Sequence, residues 1–276
     1  MNNLVYSSLQ KLRNKKIYNP ELDLRILLNH SSKIKKQIFL NNFNINDIDI
    51  DYFNSLLQKR LNYEPISKII KKKNFWKYDF FVNSNVLDPR PETELIIEEV
   101  LRNIKDRKKQ YKILDIGTGS GCLAICLAKE LTNSKITAID ISKTAINVAK
   151  KNIKLKKLEH QIDLKLIDIN KIKDRYDIIV SNPPYLTECE YEKAQEEIKN
   201  FEPKVALVGG ADGLQIYRIL SKKIDYIMTN NSYFVCEIGK GQLDSCKDIF
   251  QNTNLILKKI SKDLNKIDRT LTFFKI

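Results

Sequence analysis

Asn182-Pro183-Pro184-Tyr185 is the stretch of this chain whose residue types can do chemistry. It follows Tyr176-Asp177-Ile178-Ile179-Val180-Ser181, an apolar run of strand character. Neither proline can donate a ladder hydrogen bond, so the motif is a poor way to continue a sheet. It is a good way to hold polar atoms at the end of a strand. Each proline fixes its own φ and keeps the residue before it extended, which constrains both Asn182 and Pro183. The loop can therefore aim the Asn182 side-chain carbonyl and the Pro183 backbone carbonyl at one small target. An –NH2 group, with two N–H donors, matches two such acceptors. The implied chemistry is on a planar amino or amide nitrogen, and the motif alone leaves nucleobase and amide both open.

A second constellation lies upstream, in Asp115-Ile116-Gly117-Thr118-Gly119-Ser120-Gly121. Three glycines at alternate positions let the backbone turn sharply and approach a ligand closely. The helix that follows offers free N–H groups at its start. A dinucleotide fold is the competing reading, but its Gly-x-Gly-x-x-Gly pattern fails because position 122 is Cys. Asp115 at the strand end suits an ammonium or hydroxyl group better than a pyrophosphate. Asp140 ends the next strand, where a carboxylate accepts hydrogen bonds from ribose hydroxyls. Asp168, followed by Ile169, ends the third, a natural place to meet a base. Acids at three consecutive strand ends, with no lysine in the glycine loop, suit a cationic, phosphate-free nucleoside. S-adenosyl-L-methionine is that ligand; the bland alternative is that these acids merely cap helices.

The elements that must position these residues follow from periodicity. Strands are expected at Lys112–Ile116, Lys135–Ile139, Asp163–Ile167, Tyr176–Val180 and Tyr233–Glu237, with helices at about 122–131, 142–156, 189–199 and 212–230. Such alternation means a parallel sheet covered on both faces. Two last strands, near 254–260 and 269–275, are too close in sequence for a crossover helix and predict an antiparallel pair. Residues 1–73 read as a small helical bundle. Asn19-Pro20-Glu21 starts a helix with Asn as N-cap, and Phe53, Leu56, Leu57 and Leu61 form an apolar stripe. Leu22, Ile26, Leu27, Phe39 and Leu40 are the expected packing partners. Residues 74–88, rich in aromatic and β-branched types, read as a β-hairpin linker, and 89–276 as the catalytic domain. In a doubly wound sheet the first and fourth strands are neighbours where strand order reverses, so the glycine loop and Asn182–Tyr185 should converge.

Composition bounds the remaining possibilities. The 276 residues are 42% hydrophobic, enough for a core, and no apolar run approaches the ~18 residues of a membrane span. Met1-Asn2-Asn3-Leu4 lacks the layout of a secretory signal, so a soluble, cytoplasmic protein is expected, without membrane association. Five cysteines include no Cys-x-x-Cys pair, and Cys122 and Cys126 have no histidine nearby in sequence. They read as small buried thiols, and no metal is expected. The net charge of +14 suggests a nucleic-acid partner, but only nine of the 48 basic residues are arginine. A lysine-, asparagine- and isoleucine-rich chain is what an A/T-rich coding sequence produces, so the charge reads as a solvated surface.

At these residues the chain resembles the class I S-adenosylmethionine-dependent methyltransferases of the Asn-Pro-Pro-Tyr group, and within them the HemK-type release factor glutamine methyltransferases. Further stretches carry that resemblance: Tyr63-Glu64-Pro65-Ile66, Pro89-Arg90-Pro91-Glu92-Thr93-Glu94, Phe201-Glu202-Pro203, Gly209-Gly210-Ala211-Asp212-Gly213-Leu214, Glu237-Ile238-Gly239 and Asp268-Arg269. The resemblance implies an α/β fold, a Rossmann-like class I methyltransferase sheet with an antiparallel C-terminal strand pair, plus a small N-terminal helical bundle that recognises substrate. It implies methyl transfer to the glutamine of the Gly-Gly-Gln motif of peptide chain release factors, by a monomer with no direct nucleic-acid substrate. The alternatives are an amino-methyltransferase acting on an RNA or DNA base, or on a ribosomal-protein glutamine. Asn182, Pro183, Pro184 and Tyr185 would hold the acceptor, with Tyr185 packed on its planar group. Asp115, Gly117, Thr118, Gly119, Ser120, Gly121, Asp140, Asp168, Ile169 and Asn182 would hold the cofactor. The chain departs from the family pattern at Lys71–Lys73, where a glycine is usual, at Asp88, usually apolar, and at Lys266, where a turn glycine is common.

Overall fold

Ile113 and Leu114 are consecutive and both fully buried, yet they belong to different cores. The same division separates Ile178 from Ile179 and Val235 from Phe234. Successive side chains of a strand point to opposite faces, so continuous apolar runs mean a sheet covered on both sides. The protein is described by a computed structural model over residues 3–34 and 37–276; Met1 and Asn2, part of the signal reading above, lie outside the described residues. The chain forms two compact units, one of Met1–Lys72 with Gln195–Phe201, the other of Lys73–Ala194 with Glu202–Ile276.

The first unit contains α1 (Asn3–Asn14), α2 (Pro20–His30), α3 (Ile50–Leu61) and α4 (Ile66–Ile69). Phe53, Leu56 and Leu57 of α3 are buried, with Leu61 packed at the margin. On α2 the buried face is Leu24, Leu27 and Leu28, whereas Leu22 is 43% exposed and Phe39, in the following loop, 56%. The expected partners Leu22 and Phe39 are therefore wrong. Positions 24, 27 and 28 share one helical face, and position 22 lies on the opposite one. Asn19 occupies the cap position but its side chain makes no capping bond; Pro20 starts the helix instead. Arg60, 5% exposed, binds Asp23 through Nε at 2.7 Å and Glu197 through Nη2 at 2.7 Å, tying the segment Gln195–Phe201 to the bundle.

The second unit opens with a hairpin, β1 (Lys73–Phe75) and β2 (Tyr78–Phe80). There follow α5 (Glu94–Asn103), β3 (Lys112–Ile116), α6 (Cys122–Glu130), β4 (Lys135–Asp140), α7 (Lys143–Leu155), β5 (Ile162–Leu166) and β6 (Tyr176–Ser181). After α8 (Glu188–Glu192), and α9 (Glu196–Phe201) of the first unit, come α10 (Gln215–Ile227), β7 (Met228–Glu237), α11 (Leu243–Phe250), β8 (Leu255–Lys262) and β9 (Asp268–Lys275). The Rossmann-like sheet has seven strands in the order β5-β4-β3-β6-β7-β9-β8, with β9 antiparallel to both β7 and β8. The expected C-terminal antiparallel pair is present. The single helix expected at 189–199 is two, because Thr187 starts a capping box for α8 and the chain turns again before α9. Residues 228–230, expected at the end of a helix, begin β7.

Two of the departures from the family pattern have a backbone consequence. Lys71 at φ 54 and Lys266 at φ 62 both occupy the left-handed region that glycine adopts at low cost. At Lys266 the turn is held by Asp263, which accepts from the backbone N–H groups of Asn265 and Ile267. Cys126 is buried and Cys122 half-buried; among the described residues no group of three or more His, Cys, Asp or Glu side chains could hold a metal ion. Among those residues no helix is long and apolar enough to cross a membrane.

Candidate active site

Strands β3 and β6 are adjacent and parallel, with Ile116 opposite Ser181 in register. The Ser181 hydroxyl donates to the Ile116 carbonyl at 3.0 Å. The two chains therefore leave the sheet side by side, one into Gly117, the other into Asn182. This is where strand order reverses, so no side chain needs an unusual conformation to bring the loops together. A cavity of about 260 Å³ lies above this point. Gly117, Gly119, Asp140, Asp168 and Ile169 line it, as do Asn182, Pro183 and Pro184. The other expected residues, Asp115, Thr118, Ser120, Gly121 and Tyr185, stand behind that wall.

Asp115 is fully buried. Its Oδ2 accepts from the Thr118 hydroxyl at 2.6 Å and from the Ala124 backbone N–H at 3.2 Å, fastening the loop to the first turn of α6. Its Oδ1 accepts nothing among the described residues. Burial pushes its carboxyl up to about 7, against the pull of those two bonds. Asp140 is half-buried, with Oδ2 accepting from Gly119 N–H at 2.9 Å and Oδ1 from Ser142 N–H at 2.9 Å. Burial raises its pKa, and the backbone donors oppose this. Each oxygen retains a lone pair for a further donor. Asp168 is exposed and accepts from Asn170 N–H at 2.8 Å. Gly117 stands at φ 72, and a Cβ there would meet nothing within 4 Å, so the backbone faces open cavity. Asn152 of α7 braces the loop from below, donating to the carbonyls of Ser120 and Phe81 at 2.8 and 2.9 Å.

On the other loop, Asn182 Nδ2 donates to the Thr93 hydroxyl at 2.8 Å. Neither the Asn182 side-chain carbonyl nor the Pro183 backbone carbonyl accepts a hydrogen bond from the described residues. Both acceptors are thus available. The loop is held from behind by residues 207–209: Leu186 N–H donates to Leu207 O at 2.8 Å and Gly209 N–H to Leu186 O at 2.9 Å. A Cβ on Gly213 would lie 2.2 Å from the Tyr185 carbonyl, so only glycine fits. Tyr185 itself directs its hydroxyl to Glu237 Oε1 at 3.3 Å and packs into the core under the sheet's end. Burial pushes that hydroxyl's pKa up.

Several residues at the site escaped the reading of the sequence. Thr93 and Glu237 stand behind Asn182, and Ile141 and Val86 form apolar wall of the cavity. Thr93 and Glu237 both fall in stretches that carried the family resemblance, but nothing in their local pattern assigns them to the site. For Ile141 the only sequence signal is its place directly after Asp140; that its side chain is 63% exposed at the cavity is visible in the structure alone.

The family described as the methyltransferase small domain matches residues 90–203, and the PrmC N-terminal domain matches residues 7–70. A bifunctional methyltransferase of Rickettsia bellii is 35% identical, covering 95% of this chain and 52% of that relative. The chain spans about half the length of such bifunctional relatives. A release factor glutamine methyltransferase of Buchnera aphidicola is 36% identical, covering 96% of this chain and 95% of its own. A methyltransferase from Pyrococcus furiosus superposes with a TM-score of 0.54 at 19% identity, over 79% of this chain and 97% of that one, which shows the shared fold.

Proposed function

We propose, because this chain belongs to the release factor glutamine methyltransferase family, that it transfers a methyl group from S-adenosyl-L-methionine to the side-chain amide nitrogen (N5) of the glutamine in the Gly-Gly-Gln motif of peptide chain release factors. The observation that carries the reading is the meeting of two loops at the ends of β3 and β6. One leaves open backbone at Gly117, and the other keeps the Asn182 and Pro183 carbonyls unpaired among the described residues.

The residues fit the cofactor. Asp140 has lone pairs to spare for two ribose hydroxyls, and Ile141 and Ile169 supply apolar surface for a base that Asp168 can meet at its edge. The orphaned, buried Oδ1 of Asp115 keeps a negative potential under the glycine loop whenever that group is ionised, which suits a cation. S-adenosyl-L-methionine supplies an electrophilic methyl group on a sulfonium. The remaining problem is the acceptor. An amide nitrogen shares its lone pair with its carbonyl, a conjugation reflected in a rotation barrier of ~18–20 kcal/mol.

Accepting both N–H bonds at Asn182 and Pro183 would turn the nitrogen's lone pair out of that conjugation and toward the methyl carbon. The same two carbonyl dipoles stabilise the positive charge that develops on nitrogen, and fixed dipoles of this kind are worth about 10²–10³ in rate each. As the nitrogen–methyl bond forms, the methyl–sulfur bond would break and its electron pair would stay on sulfur, leaving a neutral thioether. The nitrogen then gives one N–H proton to water, so no strong base is required. Residues 1–73 are proposed as the release-factor recognition domain, 74–88 as a linker that supplies Val86 to the cavity wall, and 89–276 as the catalytic domain. The test is mass spectrometry of purified release factor and of ribosomal RNA after incubation with enzyme and labelled cofactor. A methylated Gly-Gly-Gln glutamine is the expected product; label in the RNA alone would move the reading to a nucleobase.

A further inference from the structure

Behind the acceptor loop lies a chain of hydrogen bonds that the methyl-transfer reading does not itself require. Thr93, 2% exposed, donates its hydroxyl proton to Glu237 Oε2 at 2.6 Å. Glu237, 1% exposed, also accepts from the Tyr185 hydroxyl at Oε1. A threonine hydroxyl has one proton. Once that proton is given to Glu237, the oxygen can only accept, and what it accepts is the Asn182 Nδ2–H bond at 2.8 Å. The two ends of a carboxamide are nearly alike in shape, so proton accounting and not sterics decides which end faces Thr93. Turning Asn182 over would set its carbonyl oxygen against an oxygen with no proton to offer.

We propose that Thr93 and Glu237 are positioning residues of the transfer site, holding the Asn182 amide in the one orientation that leaves its carbonyl for the acceptor N–H. The inference rests on the methyltransferase reading above and deepens it. It makes the charge of Glu237 part of the device. Facing that carboxylate are Thr93 from the turn before α5, Tyr185 from the acceptor loop, Arg269 from β9, which favours the charge, and Glu92, which opposes it. Tyr217 of α10 donates to the Glu237 backbone carbonyl at 3.0 Å and not to the carboxylate. Burial pushes Glu237 up to about 7. Protonated, Glu237 can donate to Thr93 Oγ1, which frees the threonine proton to turn toward Asn182 and removes the preference for one amide orientation. The ionised form is the ordering one, so turnover gains an acid limb that rises through about pH 7.

Three variants test this in the full chain. Thr93→Val keeps the shape and deletes the hydroxyl; kcat should fall about 100-fold, the cost of misaligned acceptors, with the KM for S-adenosyl-L-methionine within about twofold of wild type. Thr93→Ser restores the hydroxyl and should bring kcat back to within about threefold. Glu237→Gln should flatten the limb near pH 7 as well as lower kcat. A Thr93→Val enzyme with wild-type kcat, or a Glu237→Gln enzyme with an unchanged pH profile, overturns the proposal. The Asn182 side-chain 15N–1H signal, assigned through Asn182→Asp, separates this from the function itself. In wild type it should shift with pH near 7, and Thr93→Val should abolish that shift. If wild type methylates no release factor the activity reading fails, yet the signal still decides the relay: a pH-independent signal overturns it.

Discussion

The carboxylate of Asp140 accepts the backbone N–H of Gly119 at 2.9 Å, joining the end of β4 to the glycine loop that follows β3. The other oxygen takes the N–H of Ser142 at the start of α7. A residue expected to face ribose is thus also a fastener of the loop expected to face the rest of the cofactor. The two roles are compatible, since each carboxylate oxygen has two lone pairs and uses one internally.

Asp140→Ala should therefore weaken cofactor binding about 10–100-fold, the loss of charge-assisted hydrogen bonds plus some loosening of the loop. Calorimetric titration with S-adenosyl-L-methionine reads this directly. Asp168→Ala, at an exposed position with a single backbone bond, should cost less. Unaltered affinity in Asp140→Ala would remove this residue from the ribose assignment.

Asn182→Ala deletes one of the two carbonyls proposed to accept from the substrate nitrogen. Methyl transfer should drop by at least about 10²–10³. Cofactor affinity should fall far less, since Asn182 is only one of the residues lining the cofactor's cavity and its carbonyl is proposed to serve the substrate. The measurement is single-turnover methylation of a release factor beside the same calorimetric titration. Retained turnover would sink the acceptor role.

Gly213→Ala puts a methyl group 2.2 Å from the Tyr185 carbonyl, at φ 71, so the acceptor loop or its support must shift. A loss of about 1–3 kcal/mol of stability is expected, with turnover reduced as well. Gly241→Ala is the control, since it has a similar φ of 82 but nothing within 4 Å of the added carbon. Equal effects in melting and turnover for the two variants would show that the close approach at Gly213 is unimportant.

The pH dependence of stability follows from Asp115. Its carboxyl moves from the usual 3.8 to about 7 on folding, because burial disfavours the charge. Between those values the folded protein holds a proton that the unfolded chain has released. Stability thus falls as pH rises from about 4 to 7 and levels off above. Thermal melts without added cofactor should show that decline in wild type and a shallower one in Asp115→Asn. Part of the slope remains in the variant, since Glu237 titrates in the same window. A variant as steep as wild type would place the titrating group elsewhere.

The strands were legible because their information is local: Lys112–Ile116 and Tyr176–Ser181 are apolar runs bounded by turn residues, and both are strands. The convergence of Gly117 with Asn182 was legible for a different reason, as a rule of topology linking the first and fourth strands. Phase within a short helix was harder. Leu22 and Leu24 are equally apolar, and only the neighbours of α2 decide that position 24 faces the core and position 22 does not.

Sequence by itself determined the Rossmann-like sheet, its antiparallel end, the glycine loop and the two-acceptor motif, since each is written in contiguous residues whose φ, period and hydrogen-bonding capacity are intrinsic. Tertiary structure alone decided what each polar group faces. It turned Tyr185 toward Glu237, sank Asp115 beneath the loop, and brought Thr93 across 89 residues of chain to the side chain of Asn182. Partnership of that kind depends on how helices and strands dock, and no local pattern records it.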